Sequence, residues 1–170
     1  MVSFQDIQTA YYMVAATGVL VAAIYYVWNI KATLQTRQAQ LFMPIYSAYN
    51  SDEIMRAYST IMSWKFVDYD DYLSKYGPEV NLDADIMQRK FNGYLEGVGV
   101  LVKRGLIDPS FVDDLMSGRV INYWEKYGGF MREYRVRRDL PQASEYVEYL
   151  YNRIKPIAER QRVEMKARAP

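Results

Sequence analysis

The chain has no cysteine and no histidine among its 170 residues. Without cysteine there is no disulfide framework, thiolate nucleophile or Cys-type zinc site; without histidine there is no imidazole metal or haem ligand and no commonest general base. Most familiar catalytic designs are thereby removed. The missing cysteine does not report on compartment, because it means neither a bridge nor a free thiol to protect. Also absent are a glycine loop followed by Lys-Ser/Thr, a zincin motif and a nucleophile elbow. Asp68, Asp70, Asp71, Asp113 and Asp114, with tyrosine and lysine as further acids or bases, form no catalytic pattern. No catalytic, cofactor-binding or metal residue is therefore assigned, and the reading is of a protein that is not an enzyme.

A third absence is local. From Ile7 to Ile30 the sequence IQTAYYMVAATGVLVAAIYYVWNI contains no Asp, Glu, Lys or Arg. At about 1.5 Å per residue a helix of this length spans roughly 36 Å, enough to cross a ~30 Å hydrocarbon core with some tilt. Core helices of soluble proteins rarely run so long without a charge. Tyr11 and Tyr12 near one end, and Tyr25, Tyr26 and Trp28 near the other, suit the headgroup level, with Lys31 just beyond. The tail MVSFQD has no Lys or Arg, whereas Lys31 and Arg37 follow the run, so the expected topology is a single pass through the cell membrane, N-terminus outside and domain cytoplasmic. A cleaved signal peptide fits poorly, because the basic n-region and a small-x-small site are missing and the run is too long. Ala15, Gly18 and Ala22 share a helical face on which another membrane helix, from a second copy or another subunit, can approach closely.

The net charge of +1 conceals a split. Ser51 to Gly118 holds 12 acidic and 7 basic residues, whereas Arg119 to Pro170 holds 7 acidic and 12 basic. Residues 1–43 read as anchor and juxtamembrane helix, 44–155 as a helical domain and 156–170 as a basic tail, frayed or projecting. Pro44 and Asn50-Ser51 punctuate the chain after the anchor. Ser51, followed by Asp52 and Glu53, starts a helix; Asp70 and Asp71 begin a short one that Gly77-Pro78 stops. The acidic cluster from Asp68 fails as a calcium loop, since its sixth residue is Leu73 where glycine is required.

A long central helix runs from about Asn81, with Met87, Phe91, Tyr94, Val98 and Leu101 or Val102 at helical spacing. Its Gly93, Gly97 and Gly99 each cost about 1 kcal/mol relative to alanine and so need a packing reason, and Gly93-x-x-x-Gly97 points to close packing of a partner helix or ring. Lys103-Arg104-Gly105 ends it, and Asp108-Pro109 opens a short helix ending near Gly118. Val120, Tyr123, Trp124 and Tyr127 face inward on the next, which meets the pair Gly128-Gly129. Val147, Leu150, Tyr151 and Ile154 form a last stripe before Pro156. The fold class is all-α: one N-terminal transmembrane helix followed by a compact bundle of about five or six helices.

The run Phe91, Tyr94, Gly97-Val98-Gly99, Leu101-Val102, Gly105-Leu106-Ile107-Asp108, then Val112, Tyr123-Trp124, Arg132, Arg135 and Tyr146, Tyr149-Leu150-Tyr151 resembles domain-of-unknown-function family 4760. The likeness covers roughly Tyr46 to Arg153. It implies one N-terminal span and an all-helical cytoplasmic domain, and carries over no catalytic residues.

Two functions compete. Seventeen tyrosines point to an interface, and hence to a membrane-anchored accessory or adaptor protein that binds a protein partner, or its own copy, at the cytoplasmic face. Alternatively Arg132, Arg135, Arg137 and Arg138, with Arg153, Lys155, Arg160, Arg162, Lys166 and Arg168, form a surface for anionic lipid headgroups or another anion. The simpler fate of these arginines is pairing with the acidic middle segment. Nucleic acid is disfavoured, because Asp113 and Asp114 lie on the second helix of the one helix-turn-helix-like segment.

Overall fold

The computed structural model describes residues 3–168, among which there are six helices and no strand. The helices are α1 (Phe4–Tyr49), α2 (Asp52–Ser63), α3 (Tyr69–Tyr76), α4 (Leu82–Lys103), α5 (Pro109–Arg138) and α6 (Glu145–Arg168). The chain divides into two compact units, one ending at Gln40 and the other beginning at Leu41.

The first unit is helical and exposed at every described position up to Arg37. Its most apolar 18-residue window has a mean hydropathy of 1.7 and buries none of its residues, so α1 is long and apolar enough to cross a membrane. Punctuation at Pro44 does not occur, and α1 passes through it to Tyr49. Proline removes the bond to the Gln40 carbonyl and crowds that carbonyl with its ring. The residues on either side offset that cost: Phe42 and Tyr49 are buried, Ile45 and Tyr46 pack against the same core, and the Tyr94 hydroxyl donates to the Ile45 carbonyl.

In the second unit, α5 packs most extensively on α6 and α6 on α4, with α2 against α4 and α3 against α5. An aromatic chain fills the space between them. Trp64 stacks on Tyr76 at 4.4 Å, Tyr72 meets Phe130 at 4.2 Å, and Phe91, Tyr123 and Tyr127 follow at 5.0 and 4.9 Å. Such pairs add about 0.5–1.5 kcal/mol each beyond burial. The thirteen tyrosines from Tyr46 onward are all buried or half-buried, so the phenol-rich composition is absorbed by the core. The four exposed tyrosines all lie on the apolar part of α1.

Short-range caps start the helices as their sequences dictate. Ser51, Asp68, Asn81 and Asp108 accept the N–H groups of Ile54, Asp71, Ala84 and Ser110. Gly105, at φ +68°, takes the left-handed turn after α4. Three ends are closed from a distance by charges of the sign that the helix dipole favours. Arg119 donates to the Tyr49 carbonyl at 3.3 Å while lying over the Tyr49 ring. Lys126 reaches three carbonyls at the end of α2, and the Glu96 carboxylate accepts the N–H groups of Tyr146 and Val147 at 3.0 and 2.9 Å.

Two expected breaks are absent. α5 continues past Gly118, where its end is expected, and on through Gly128-Gly129, because glycine weakens a helix without obstructing its hydrogen bonds, and the aromatic face on both sides is held by the same core. At Gly128 the missing Cβ makes room for the Trp124 indole. α6 continues past Pro156 to Arg168, so the tail, expected to be frayed or projecting, is helical, with exposed residues from Glu159 to Ala167.

Candidate functional site

The residues singled out on α1 remain together on one exposed helix. Tyr11, Tyr12, Tyr25, Tyr26, Trp28 and Lys31 are all exposed, as are Ala15, Gly18 and Ala22. A Cβ built on Gly18 meets no atom within 4 Å. The small face is thus open within the chain.

The close contact expected at Gly93 and Gly97 lies elsewhere. Both glycines are exposed, and a Cβ on either meets nothing within 4 Å. The contact is made two residues on, at Gly99, where a Cβ falls 2.2 Å from the Tyr146 carbonyl oxygen. Helical rotation explains the difference, since Gly99 shares the buried face of Leu95, Val98 and Val102 whereas Gly93 and Gly97 lie opposite it. Gly99 lets α4 and the start of α6 touch through backbone, at the place where Glu96 caps α6.

The four arginines do not form one free anion surface. Arg132 and Arg135 hold Glu148 at 3.2 and 2.5 Å, and both guanidiniums lie within 6 Å of the Trp124 ring centroid, at 5.7 and 5.9 Å. Arg135 also donates to the Ala143 carbonyl at 2.7 Å. Arg137 forms a bidentate pair with Asp70 and a further bond to Glu133. Only this Asp70 pair joins the acidic middle segment, whereas Arg132 and Arg135 use a carboxylate of α6. Further along, Lys155 binds Glu125 and the Tyr151 hydroxyl. Burial resists ionisation of Glu148, but the hydrogen bond and charge of Arg135, with those of Arg132, outweigh it and hold its pKa below the ordinary range. Arg138, exposed and without a carboxylate partner among the described residues, turns instead to a cleft.

That cleft, of about 540 Å³, lies in the second unit between the turn after α3, α4, the end of α5 and the α5–α6 connection. Its size falls in the usual range for ligand sites, about 300–1,000 Å³. Buried Phe130, Met131 and Gln88 and half-buried Leu73 line it, and Arg89, Arg138 and Glu79 stand exposed around it. A polar chain runs along its base. Gln88, only 4% exposed, donates to the Tyr123 hydroxyl at 2.8 Å; that hydroxyl donates to Asn92 Oδ1 at 3.1 Å, and Ser144 donates to the same oxygen at 3.0 Å. Asp85 is neutralised by Arg89 Nε at 2.8 Å. Burial raises the Tyr123 pKa far above the phenol range, so its proton remains on the hydroxyl.

The α5–α6 connection carries both left-handed non-glycine residues among those described, Asp139 at φ 52° and Ser144 at φ 56°. Aspartate tolerates this conformation more readily than serine. Ser144 is held there by Asn92 and by the Met131 sulfur at 3.3 Å. Asp85, Gln88, Asn92 and Ser144 were absent from the residues selected by sequence. A faint signal existed on α4: Asp85, Gln88 and Asn92 are spaced by three and four, a polar line beside an apolar face. Ser144 carried none, because its position depends on a turn geometry that only the packed structure defines.

Elsewhere, Asp113 is 3% exposed, and among the described residues neither carboxylate oxygen has a hydrogen-bond partner of good geometry, although Ser117 lies close enough to oppose the rise in its pKa. Burial, with the neighbouring Asp114 charge, raises its pKa.

Fold and cleft together define an all-α domain that follows a long apolar N-terminal helix. The chain belongs to the family described as domain of unknown function (DUF4760), whose family model matches residues 12–154. No curated protein and no solved structure matches it.

Proposed function

We propose that this chain is a membrane-anchored, non-catalytic accessory or adaptor protein, whose helical domain binds a protein partner at the cytoplasmic face of the cell membrane. The observation that carries this reading is the division of labour in the chain. The second unit has its own closed core, while the apolar part of α1 buries nothing against protein. A bilayer satisfies that surface, and the absence of charge from Ile7 to Ile30 makes insertion favourable. Lys31 and Arg37 favour the cytoplasm for the domain. Partner binding rests on the open cleft and not on the tyrosines, which the core consumes.

Purification of the full chain from its native membranes in mild detergent, followed by mass spectrometry, tests the reading. A stoichiometric protein partner or a defined oligomer is expected. A chain that always purifies alone as a monomer contradicts it.

A further inference from the structure

We propose that the cleft between α4 and the end of α5 is a docking groove for an extended, carboxylate-bearing peptide segment of a protein partner. This assignment rests on reading the chain as a protein-binding accessory, and it names what the partner presents.

The floor offers the two halves of an amide. Gln88 uses its Nε2 on Tyr123 and leaves Oε1 as an acceptor, while Asn92 uses its Oδ1 twice and leaves Nδ2 as a donor. Neither atom has a partner among the described residues, and both side chains line the cleft. Residues four apart on a helix place their Cβ atoms about 6 Å apart, comparable to the spacing of N–H and C=O groups along an extended backbone. One acceptor and one donor suit the N–H and C=O groups that an extended chain turns to one side, which repeat every two residues, about 6.6 Å. The Tyr123 and Ser144 bonds hold the Asn92 amide, and the Tyr123 bond holds that of Gln88, so little order has to be imposed on binding.

Charge selects the remainder. Among the described residues Arg138 is exposed and makes no ion pair, and Arg89 commits Nε to Asp85 while its terminal amino groups lack a partner. The Arg138 guanidinium fork suits a planar carboxylate, which it can bind bidentately, and the terminal amino groups of Arg89 add neighbouring donors. Glu79, exposed on the turn before α4, is the opposing charge, since Asp85 is already paired. Its charge opposes a carboxylate, so removing it favours binding. Phe130 and Met131 supply apolar surface for a neighbouring side chain.

The test is selection of random short peptides, with free or amidated C-termini, on the full chain in detergent micelles, followed by affinity measurement on variants. Arg138→Glu is the main variant, because that side chain is exposed and makes no ion pair among the described residues; near-UV circular dichroism checks its fold. The expected result is enrichment of carboxylate-bearing peptides, a loss of about tenfold or more with Arg138→Glu, partial retention with Arg138→Lys and a modest gain with Glu79→Gln. No enrichment, or peptides that bind Arg138→Glu equally well, overturns the proposal. Complete displacement by phosphatidylglycerol vesicles or by inorganic phosphate also overturns it, in favour of a lipid or a small anion. A native partner that co-purifies undiminished with Arg138→Glu removes the groove and leaves the accessory reading intact. Absence of any partner or oligomer removes the accessory reading itself.

Discussion

Lys126, on α5, places its ammonium 2.7 Å from the carbonyl oxygen of Trp64, the residue that caps the C-terminal end of α2. The same nitrogen lies 2.6 Å from the Met62 carbonyl and 3.0 Å from that of Ile61, and the Tyr127 hydroxyl takes the Ile61 carbonyl as well. α2 has no basic residue in its own last turn. Its end is completed by a side chain more than sixty positions away.

Replacing Lys126 by methionine retains much of the apolar stem and removes the donors. A hydrogen bond from a charged group contributes about 1.5–3 kcal/mol, so Lys126→Met is expected to destabilise the domain by about 2 kcal/mol. Thermal unfolding of the full chain in micelles measures this, and hydrogen exchange should localise the loss to the end of α2.

The glycines of α4 separate by position. Gly99→Ala drives a Cβ into the Tyr146 backbone and is expected to cost about 3 kcal/mol, the upper part of the range for overpacking. Gly93→Ala and Gly97→Ala meet open space and are expected to stabilise by about 0.5–1 kcal/mol through helix propensity. Comparing the three melting temperatures checks the assignment, and a uniform response would contradict it.

Glu148 provides acid sensitivity. Its pKa is lowered from the ordinary 4.5, so the folded state gains stability above that value and loses it as pH falls through the lower folded pKa. Glu148→Gln should weaken the protein at neutral pH and flatten its stability profile below pH 4.5. A titration of unfolding midpoints across the acid range measures both effects.

Asp113 has the opposite sign. Its pKa is raised above the ordinary 3.8, so its contribution is most favourable below that value and is lost as pH rises through the raised folded pKa. Asp113→Asn should therefore unfold at higher temperature than the natural chain at neutral pH, with the difference vanishing toward pH 3.8.

Sequence exposes local chemistry more readily than assembled surfaces. The starts at Ser51, Asn81 and Asp108-Pro109, and the turn at Gly105, are legible because cap and turn residues act on their own neighbours. Pro44, Gly118 and Pro156 mislead because their costs are local while the packing that offsets them is not. The cleft is hardest to read, since it needs α4, the end of α5 and a left-handed Ser144 together. The arginines were conspicuous as a group, yet their partners Glu148 and Asp70 lie on other helices, so only the folded chain distinguishes Arg138 from the three that are paired.

The absence of cysteine makes membrane placement directly measurable. Ser3→Cys and Ser74→Cys put single thiols before α1 and in the helical domain, and a membrane-impermeant maleimide reports which is accessible in intact cells. The account predicts that the chain stays in the membrane after alkaline carbonate washing, that the thiol at position 3 is labelled in intact cells, and that the thiol at position 74 is labelled only after lysis. Release by carbonate, or labelling of both positions from the same side, would contradict it.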